Sequence, residues 1–353
     1  MIFGSRSKPL IGLDITTSSI KLVELVSAGR SFRAECYAAE PAPPNSINEK
    51  TIVDAEAVGE AIRRAVKRAG SDTEDVAIAI SGDAAITKVI QMPRSLGVNE
   101  LEGQVEIQAD QYIPFPMEEV SFDFEIMGPS ANDPDMNDVL LVATRTENVD
   151  QRRAAVEAAG LKATVVDVEA FALENACQLL AHQMPDAGME HLIAVVDFGA
   201  SNTTFSVLQD MRVIYTRDFS FGGQQLTEEI MRTYGLSLED AGRAKKEGGL
   251  PSNYQPEVLD PFIDDMTQQV SRSLQFFLAS GGGREQPDQI LVCGGCANIP
   301  GVADVISSKV GIPTEIGDPL GQMKISSRAK SQGVRRDATA LLTACGLALR
   351  SFD

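Results

Sequence analysis

Two segments that lie far apart in the chain share the residue types that bind a phosphate tail and its metal ion. Residues 11–19 contain an apolar run that reaches Asp14, and residues 194–202 contain a similar run that reaches Asp197. In each segment the aspartate is followed by a short turn of small residues with a serine, and then by a second apolar run. A carboxylate at a strand end can hold a hard cation such as Mg²⁺, mostly through water, while the turn presents backbone N–H groups and hydroxyls to phosphate.

A third segment, residues 291–301, has the residue types that let the backbone approach a base or a ribose closely. Its apolar run is followed by Gly294 and Gly295, and Pro300 then opens a helix. Glycine has no side chain to hold a flat ligand away. Each aspartate segment alone is also typical of an ordinary β-hairpin whose aspartate caps a turn. Because the pattern occurs twice and a glycine turn follows the second copy, we predict two related α/β halves that grip a nucleotide triphosphate between them.

The hydrophobic periodicity predicts the strands and helices that must position these three segments. Apolar residues at helical spacing from Val58 to Ala69 predict an amphipathic helix that ends at Gly70, and period-two alternation predicts a strand with one buried face over 120–126. Further strands are predicted at 10–15, 20–26, 76–80, 139–144, 164–168, 192–198, 203–208, 212–216 and 289–292. Further helices are predicted at 104–115, 148–159, 224–233, 238–246, 256–278, 302–310 and 337–350.

A change of pattern between about residues 88 and 160 predicts a small inserted subdomain. Within it, Phe122 and Phe124 are predicted to form core, whereas Tyr112 and Phe115 fit either the core or a surface that accepts a peptide. The predicted divisions are a first domain at 1–87, the insertion at 88–160, a connecting strand and helix of the first domain at 161–190, a second domain at 191–330 with a helical subdomain at about 224–288, and a C-terminal helix at 331–353 that returns to the first domain.

The composition excludes several classes of protein. The chain has 353 residues, 43% of them hydrophobic and 23% charged, which is the balance of a globular protein rather than of a disordered one. Its net charge of −19 repels phosphate backbones and anionic lipids, so we expect no nucleic-acid binding and no direct membrane-surface binding. No apolar run is long enough to span a membrane, and the five cysteines are scattered, so we expect a reduced cytoplasmic protein that reaches a membrane only through partners.

Together the three segments resemble the phosphate-1, phosphate-2 and adenosine motifs of the actin/Hsp70/sugar-kinase superfamily. The fuller sequence is similar to one family more closely, the actin-like PilM proteins of type IV pilus assembly, and this resemblance covers essentially the whole chain. It implies an α/β, actin-like fold of two duplicated domains with an inserted small α+β subdomain that resembles that of the cell-division protein FtsA. The segments that carry the resemblance are 12–25, 166–173, 195–200, 244–250, 293–295 and 299–301.

The resemblance also implies ATP and Mg²⁺ as ligands and assigns residues to them. Asp14 and Asp197 would hold Mg²⁺, mostly through water, and Glu169 would orient the attacking water. By itself, Glu169 is also explained as an acidic residue that the dipole of a helix N-terminus favours, and Lys21 as an exposed charge on an edge strand. The implied phosphate-binding set is Asp14, Ser18, Ser19, Lys21, Asp197, Gly199, Ser201 and Thr203, and the implied adenosine-binding set is Gly222, Gly223, Lys245, Lys246, Gly294 and Gly295.

Two positions depart from the superfamily pattern. Thr16 stands where the first loop often has glycine, and Gly242 stands where a glutamate commonly contacts the ribose. Both changes weaken the positioning of ATP for reaction more than they weaken its binding. Enzymatic activity therefore stays open at this point, and we expect ATP hydrolysis to be slow at most.

The family resemblance implies a cytoplasmic ATP-binding scaffold of the inner-membrane platform that assembles type IV pili. Its implied partners are the cytoplasmic N-terminal segment of PilN, which would dock in a groove that involves the inserted subdomain, other platform proteins, and further copies of the chain. Two alternatives belong to the same superfamily. One is a small-molecule kinase, for which no motif supplies a general base beside a substrate pocket. The other is a filament-forming ATPase, whose contact surfaces leave no sequence pattern.

Overall fold

Two mixed β-sheets form the centre of the fold in the computed structural model, which describes residues 9–29, 31–48, 50–131, 133–280, 285–331 and 333–353. A smaller three-stranded sheet belongs to the insertion, and a two-stranded hairpin leads into the first helix. The strands are β1 (Ile11–Ile15), β2 (Ser19–Ala28), β3 (Ser31–Pro41), β4 (Ile47–Asn48), β5 (Thr51–Ile52), β6 (Asp75–Ile80), β7 (Ala85–Pro93), β8 (Val120–Pro129), β9 (Met136–Arg145), β10 (Lys162–Val168), β11 (Leu192–Phe198), β12 (Thr203–Gln209), β13 (Arg212–Phe219), β14 (Gln289–Cys293), β15 (Thr314–Ile316) and β16 (Lys324–Ile325).

The two large sheets repeat one topology. The first sheet has the order β10-β6-β1-β2-β3-β16, and the second has the order β13-β12-β11-β14-β15. In each, three consecutive antiparallel strands are followed by two strands parallel to the first, namely β6 and β10 beside β1, and β14 and β15 beside β11. Parallel pairing requires a long crossover, which helices supply in both halves. This repeat confirms the predicted duplicated α/β architecture.

Helices cover the faces of both sheets and fill the space between them. The predicted helix at 256–278 is confirmed, although its first turn (Gln255–Leu259) is wider than an α-helical turn. The helices are α1 (Ala55–Ala69), α2 (Val98–Tyr112), α3 (Thr146–Ala158), α4 (Glu169–Leu180), α5 (Gly223–Tyr234), α6 (Leu238–Glu247), α7 (Asp260–Ala279), α8 (Val302–Val310), α9 (Ser327–Ser331), α10 (Val334–Asp337) and α11 (Leu342–Leu349).

Helix α1 has clear start and stop signals. The Asp54 carboxylate accepts a hydrogen bond from the Ala57 N–H at 3.0 Å, which satisfies one of the free donors of the first turn. At the other end, Gly70 takes the left-handed conformation with φ of 67° and donates its N–H to the Val66 carbonyl. The predicted helix and its end at Gly70 are therefore confirmed.

Two glycines allow a matched test of these helix signals. We expect Gly70→Ala to destabilise the fold by about 1 kcal/mol, because alanine disfavours a left-handed φ. Gly103→Ala should stabilise it by about 1 kcal/mol, because Gly103 lies exposed inside α2 with open space where a Cβ would stand. Urea unfolding of both variants measures the two effects. A loss of stability in both would contradict the assignment of opposite backbone requirements.

Helices α4 and α11 lie between the two domains and join them. Leu173 and Cys177 of α4 and Leu342 of α11 pack with Val195 and Leu291 of the second sheet in one buried cluster. Glycines bring these helices close to their neighbours. A Cβ on Gly346 would stand 1.7 Å from the Ala172 carbonyl oxygen of α4, and one on Gly12 of β1 would stand 2.0 Å from the Ala344 oxygen of α11. The aspartate at the end of β1 is therefore held by a tightly packed support.

The C-terminal segment returns to the first domain earlier than predicted, and it is not one continuous helix. Strand β16 already pairs with β3 of the first sheet. The helical path breaks at Ala338–Ala340, between α10 and α11. There, Thr339 donates its hydroxyl to the Gly294 carbonyl at 2.9 Å, and the Gly294 N–H donates to the Thr339 carbonyl at 2.7 Å. These bonds to the second domain replace helical ones, which explains the break.

The insertion is an α+β unit in which α2 covers one face of the sheet β7-β9-β8. Its core includes Leu101, Val105 and Leu141, and Phe115, Phe122 and Phe124 pack against it. Tyr112, which from the sequence fitted either the core or a surface, is 44% exposed, whereas Ala109 of α2 is buried. The predicted bounds of the insertion also differ from the packing, because α3 contributes Ala155 and Val156 to the core of the first domain.

Candidate functional site

The first aspartate lies at the end of β1, opposite a lysine on β2. Asp14 is 9% exposed and pairs in register with Lys21, whose ammonium contacts the Asp14 carboxylate at 2.8 Å. Burial lowers the pKa of Lys21, but the charge and hydrogen bond of Asp14, with help from Asp197, raise it overall. Lys21 is therefore a charged, partly buried partner of Asp14 in the cleft, and not the exposed edge charge that its sequence position alone allowed.

Thr16 closes the turn of the first loop with its own side chain. Its hydroxyl donates to the Ser19 carbonyl at 2.8 Å and accepts from the Ser19 N–H at 3.1 Å. The Ser19 N–H is consequently unavailable to a phosphate, whereas the Ser18 side chain is exposed at the tip of the loop. Thr16 thus engages this backbone donor in an internal hydrogen bond, and the weaker positioning of ATP by this loop stays a prediction.

The second loop faces the first across the cleft. It is closed by the Gly199 N–H, which donates to the Asn202 carbonyl at 3.0 Å. The Ser201 and Thr17 hydroxyls lie 2.9 Å apart, so the two predicted loops are in direct contact. Thr203 is not brought to the cleft, because its side chain is fully buried and its hydroxyl donates to the Phe221 carbonyl at 2.8 Å.

Asp197 stands in an electrostatically unfavourable place for an anion. Burial, and to a lesser extent the charges of Asp14, Glu169 and Asp218, raise its pKa to about 6, against the opposing effect of Lys21. Asp197 therefore shares the cleft with three other acidic side chains that act on it, those of Asp14, Glu169 and Asp218.

The predicted adenosine glycines pack directly on the second loop. A Cβ on Gly294 would stand 2.2 Å from the Phe198 oxygen and 2.5 Å from the Asp197 carboxylate, and its φ of 86° also favours glycine. A Cβ on Gly222 would stand 2.4 Å from the Ala200 oxygen. Gly295, one residue further on, is exposed. The double-glycine turn thus joins the strand end at β14 to the second loop.

The two predicted lysines of α6 have different environments. Lys245 donates to the Gly223 carbonyl at 2.7 Å and to the Thr227 hydroxyl at 2.6 Å, and burial lowers its pKa. It therefore fixes α6 to the start of α5. Lys246 is exposed on the same helix. Gly242, the second departure from the superfamily pattern, is half-buried and has open space where a side chain would begin.

Glu169 is the first residue of α4, and it is held by a lysine that the sequence reasoning missed. The Lys50 ammonium lies 3.0 Å from the Glu169 carboxylate and 2.6 Å from that of Asp218. Burial raises the pKa of Glu169 against the opposing effect of Lys50. Arg152, which is 5% exposed, donates to the Lys50 carbonyl at 3.1 Å. None of Lys50, Arg152 and Asp218 belongs to a motif, and no sequence signal pointed to them.

The duplicated fold thus brings two aspartate loops into contact across a cleft. A comparison with known protein families shows to which of them this chain is similar. The model of the family described as type IV pilus assembly protein PilM matches residues 12–352. The chain belongs to the PilM family. The predicted family resemblance is thereby confirmed over nearly the whole chain.

Solved structures and relatives of known name are similar to this chain. One chain of a solved PilM-PilN type IV pilus biogenesis complex is 27% identical and superposes with a TM-score of 0.78, and the match covers 98% of this chain and 99% of that one. The cell division protein FtsA of Enterococcus hirae is 24% identical over an alignment of 365 positions, which covers 87% of this chain and 79% of the relative. A structure of MreB 5 of Spiroplasma citri bound to AMPPNP, 14% identical with a TM-score of 0.50 and covering 99% of this chain and 97% of that one, shares the fold.

Two further observations concern the described part of this PilM family member. None of its helices there is both long and apolar enough to cross a membrane. Nor do three or more His, Cys, Asp or Glu side chains converge there in a way that could hold a metal ion on their own.

Proposed function

We propose that this PilM family member is an ATP-binding scaffold of the type IV pilus assembly platform, and that its nucleotide state controls how it holds a partner. The observation that carries the nucleotide part is the contact between the two aspartate loops, where Thr17 meets Ser201 and where Asp14 and Asp197 are close enough to repel. Two loops with hydroxyls and strand-end carboxylates suit the phosphate tail of a nucleotide with its metal. The MreB 5 structure bound to AMPPNP has the same fold, which supports the proposal.

Asp14 and Asp197 are the residues that would hold Mg²⁺. Their carboxylates are the hard oxygen ligands that this ion prefers, and the charges of Asp14, Glu169 and Asp218 near Asp197 favour a cation. Because Asp14 already pairs with Lys21, and because only two carboxylates are proposed, water and phosphate oxygens would complete the coordination. Mg²⁺ would supply charge neutralisation for the phosphates. The chain's own contribution is to orient them with Lys21, Ser18 and Ser201.

Apart from Thr203 and Lys245, the proposed phosphate-binding and adenosine-binding residues are those predicted from the sequence, which face the cleft or shape it. Thr203 is proposed as a structural residue of the second loop, because its hydroxyl is committed to Phe221. Lys245 is proposed to act through the backbone of Gly223, which it holds in place.

Slow hydrolysis is expected, and Glu169 is the residue to test. Phosphoryl transfer needs a water positioned in line with the leaving group, and Glu169 is the residue that the family resemblance implies for that role. Glu169→Gln should leave the affinity for ATP within about twofold and should lower any slow phosphate release by about tenfold or more. Single-turnover phosphate release measures the effect, with ATP affinity as the control. Fast multiple turnover by the unmodified chain without partners would contradict the expectation.

The partner that we propose is the cytoplasmic N-terminal segment of a PilN protein. Support comes from the solved PilM-PilN complex, one chain of which is alike over almost the full length of both chains. Attachment to the inner membrane would then come through PilN, and the chain would work at the cytoplasmic face. Binding to other platform proteins and self-association are proposed from the family resemblance alone.

Titration of the purified full chain tests this function. ATP and ADP, each with and without Mg²⁺, are measured for affinity, and a PilN N-terminal peptide is then titrated in each nucleotide state. We expect ATP binding that requires Mg²⁺ and a peptide affinity that differs between nucleotide states. Phosphate release and pelleting in the same samples separate the scaffold from a kinase and from a filament. Absence of any nucleotide effect on peptide affinity would leave a scaffold without control by ATP.

A further inference from the structure

Lys50 has an unusual position for a lysine. It stands in the turn between β4 and β5, with a left-handed φ of 70° that lysine seldom adopts. Its backbone carbonyl accepts from Arg152 at 3.1 Å, so a buried side chain of α3 fixes the turn. This fixed backbone sends the lysine side chain, which is 18% exposed, into the cleft.

The Lys50 ammonium joins the two halves of the molecule. It contacts Glu169 at the start of α4 on the first-domain side and Asp218 on β13 of the second domain. An ammonium has three N–H donors, and the described contacts use two of them. The ammonium thus gives one donor to a carboxylate of each half.

The two carboxylates would respond differently if the lysine moved. Asp218 also accepts a hydrogen bond from the Thr204 hydroxyl at 2.7 Å, so it keeps a partner. Glu169 has Lys50 as its described hydrogen-bond partner and would be freed. Burial already raises the pKa of Glu169, and loss of the lysine would raise it further, which makes the carboxylate a better acceptor for a proton of water.

We propose that Lys50 recognises the terminal phosphate of a nucleoside triphosphate: its ammonium exchanges Glu169 for an oxygen of that phosphate and keeps Asp218. A diphosphate, which lacks this group, leaves Lys50 on Glu169. The lysine thereby makes the contact between the two domains depend on the third phosphate, and it releases Glu169 only when a triphosphate is bound. This inference rests on the proposed nucleotide function.

The test compares the affinities of the full chain for AMPPNP and ADP, both with Mg²⁺. In Lys50→Met we expect the affinity for AMPPNP to fall by about tenfold or more, because a charge-assisted hydrogen bond is lost, and the affinity for ADP to change by about twofold at most. Retained ADP binding also shows that the variant is folded. Lys67→Met, which removes an exposed lysine from α1, is the matched control and should change neither affinity.

A double variant distinguishes a direct contact of Lys50 with the phosphate from mere shielding of the phosphate from the Glu169 carboxylate. Lys50→Met leaves Glu169 without its cation, and repulsion by that carboxylate alone could weaken triphosphate binding. In Lys50→Met/Glu169→Gln this repulsion is removed. If Lys50 contacts the phosphate, the affinity for AMPPNP stays reduced relative to the affinity for ADP in the double variant. If the affinity for AMPPNP returns to that of the unmodified chain, Lys50 only shields Glu169 and the proposal is overturned.

The failure of this proposal differs from the failure of the proposed function. If the unmodified chain binds both nucleotides and Lys50→Met keeps the same ratio of affinities, Lys50 does not recognise the third phosphate, while nucleotide binding stands. If the unmodified chain binds neither AMPPNP nor ADP, both proposals are overturned together.

Discussion

Replacing Asp197 by asparagine should stabilise the nucleotide-free protein, whereas the same replacement at Asp14 should destabilise it. Asp197 is half-buried near other carboxylates, and burial together with their charges raises its pKa to about 6. Asp14 is paired at 2.8 Å with Lys21, which would be left partly buried without its partner. Removing one member of such a pair costs about 3–5 kcal/mol when it is fully buried, and somewhat less at this partial exposure.

The sign of the Asp197 effect follows from proton linkage. The unfolded carboxyl has its ordinary pKa near 3.9, so between about pH 4 and pH 6 the folded state binds more protons than the unfolded state. Stability therefore falls as the pH rises through this window, and the full penalty, at most about 3 kcal/mol, is present above pH 6. Asp197→Asn removes it. A gain of several degrees in Tm at pH 7.5 is expected, since a chain of this size gains about 2–4 °C per kcal/mol.

Thermal unfolding at pH 7.5 and at pH 5 measures both variants. The gain from Asp197→Asn should shrink at pH 5, where the unmodified carboxyl is already protonated in the folded state. ATP with Mg²⁺, at a concentration of 100 times the Kd of the unmodified chain, should stabilise that chain by about 2.7 kcal/mol and should leave both variants nearly unshifted. Equal destabilisation by the two replacements would contradict the electrostatic difference, and a full ATP shift in both would contradict the site.

The parts of this site that the sequence predicted are those fixed by local pattern. Asp14 and Asp197 each follow an apolar run, and a run that is buried on both faces has to be a central strand. The small residues that follow each strand then form the turn. Repetition of the pattern in the second half raised the specificity of the signal beyond that of either copy. The duplicated sheets and the family follow from that repetition.

The parts that the sequence did not predict depend on contacts between distant segments. Lys50 enters the cleft because Arg152, about a hundred residues further on, holds its carbonyl. Thr203 leaves the cleft because strand alternation turns its side chain inward, although its neighbours in the motif face outward. Thr339 interrupts a helix that its local sequence favours, because Gly294 offers backbone hydrogen bonds. Periodicity within one segment contains no information about such partners.

The inserted subdomain has the surface expected of a docking site for a partner segment. Of the eleven large apolar side chains that are exposed in the described part of the chain, five lie within it, although it spans only residues 85–145. Its strand β8 is at the edge of the sheet, where unpaired backbone groups can accept an extended peptide. The five side chains are Val89, Ile107, Tyr112, Ile126 and Met127.

The structure offers a short link at which this subdomain can be replaced. Ala85 of β7 pairs directly with Thr144 of β9, so the chain enters and leaves the subdomain at neighbouring positions. Helix α3, which follows, packs in the core of the first domain and stays there. Residues 86–143 can thus be replaced by a Gly-Ser link across one strand pair, about 5 Å wide.

We expect this deletion to abolish binding of a PilN N-terminal peptide while ATP binding stays within about threefold of the unmodified chain. Isothermal titration with the peptide and with ATP measures both, and the retained ATP affinity shows that the remainder is folded. Tyr112→Ala and Phe124→Ala then separate surface from core. Replacing the exposed Tyr112 should lower peptide affinity without lowering Tm, whereas replacing Phe124, which packs against the subdomain core, should lower Tm by several degrees. Unchanged peptide affinity in a folded deletion variant would place the groove on the two actin-like domains instead.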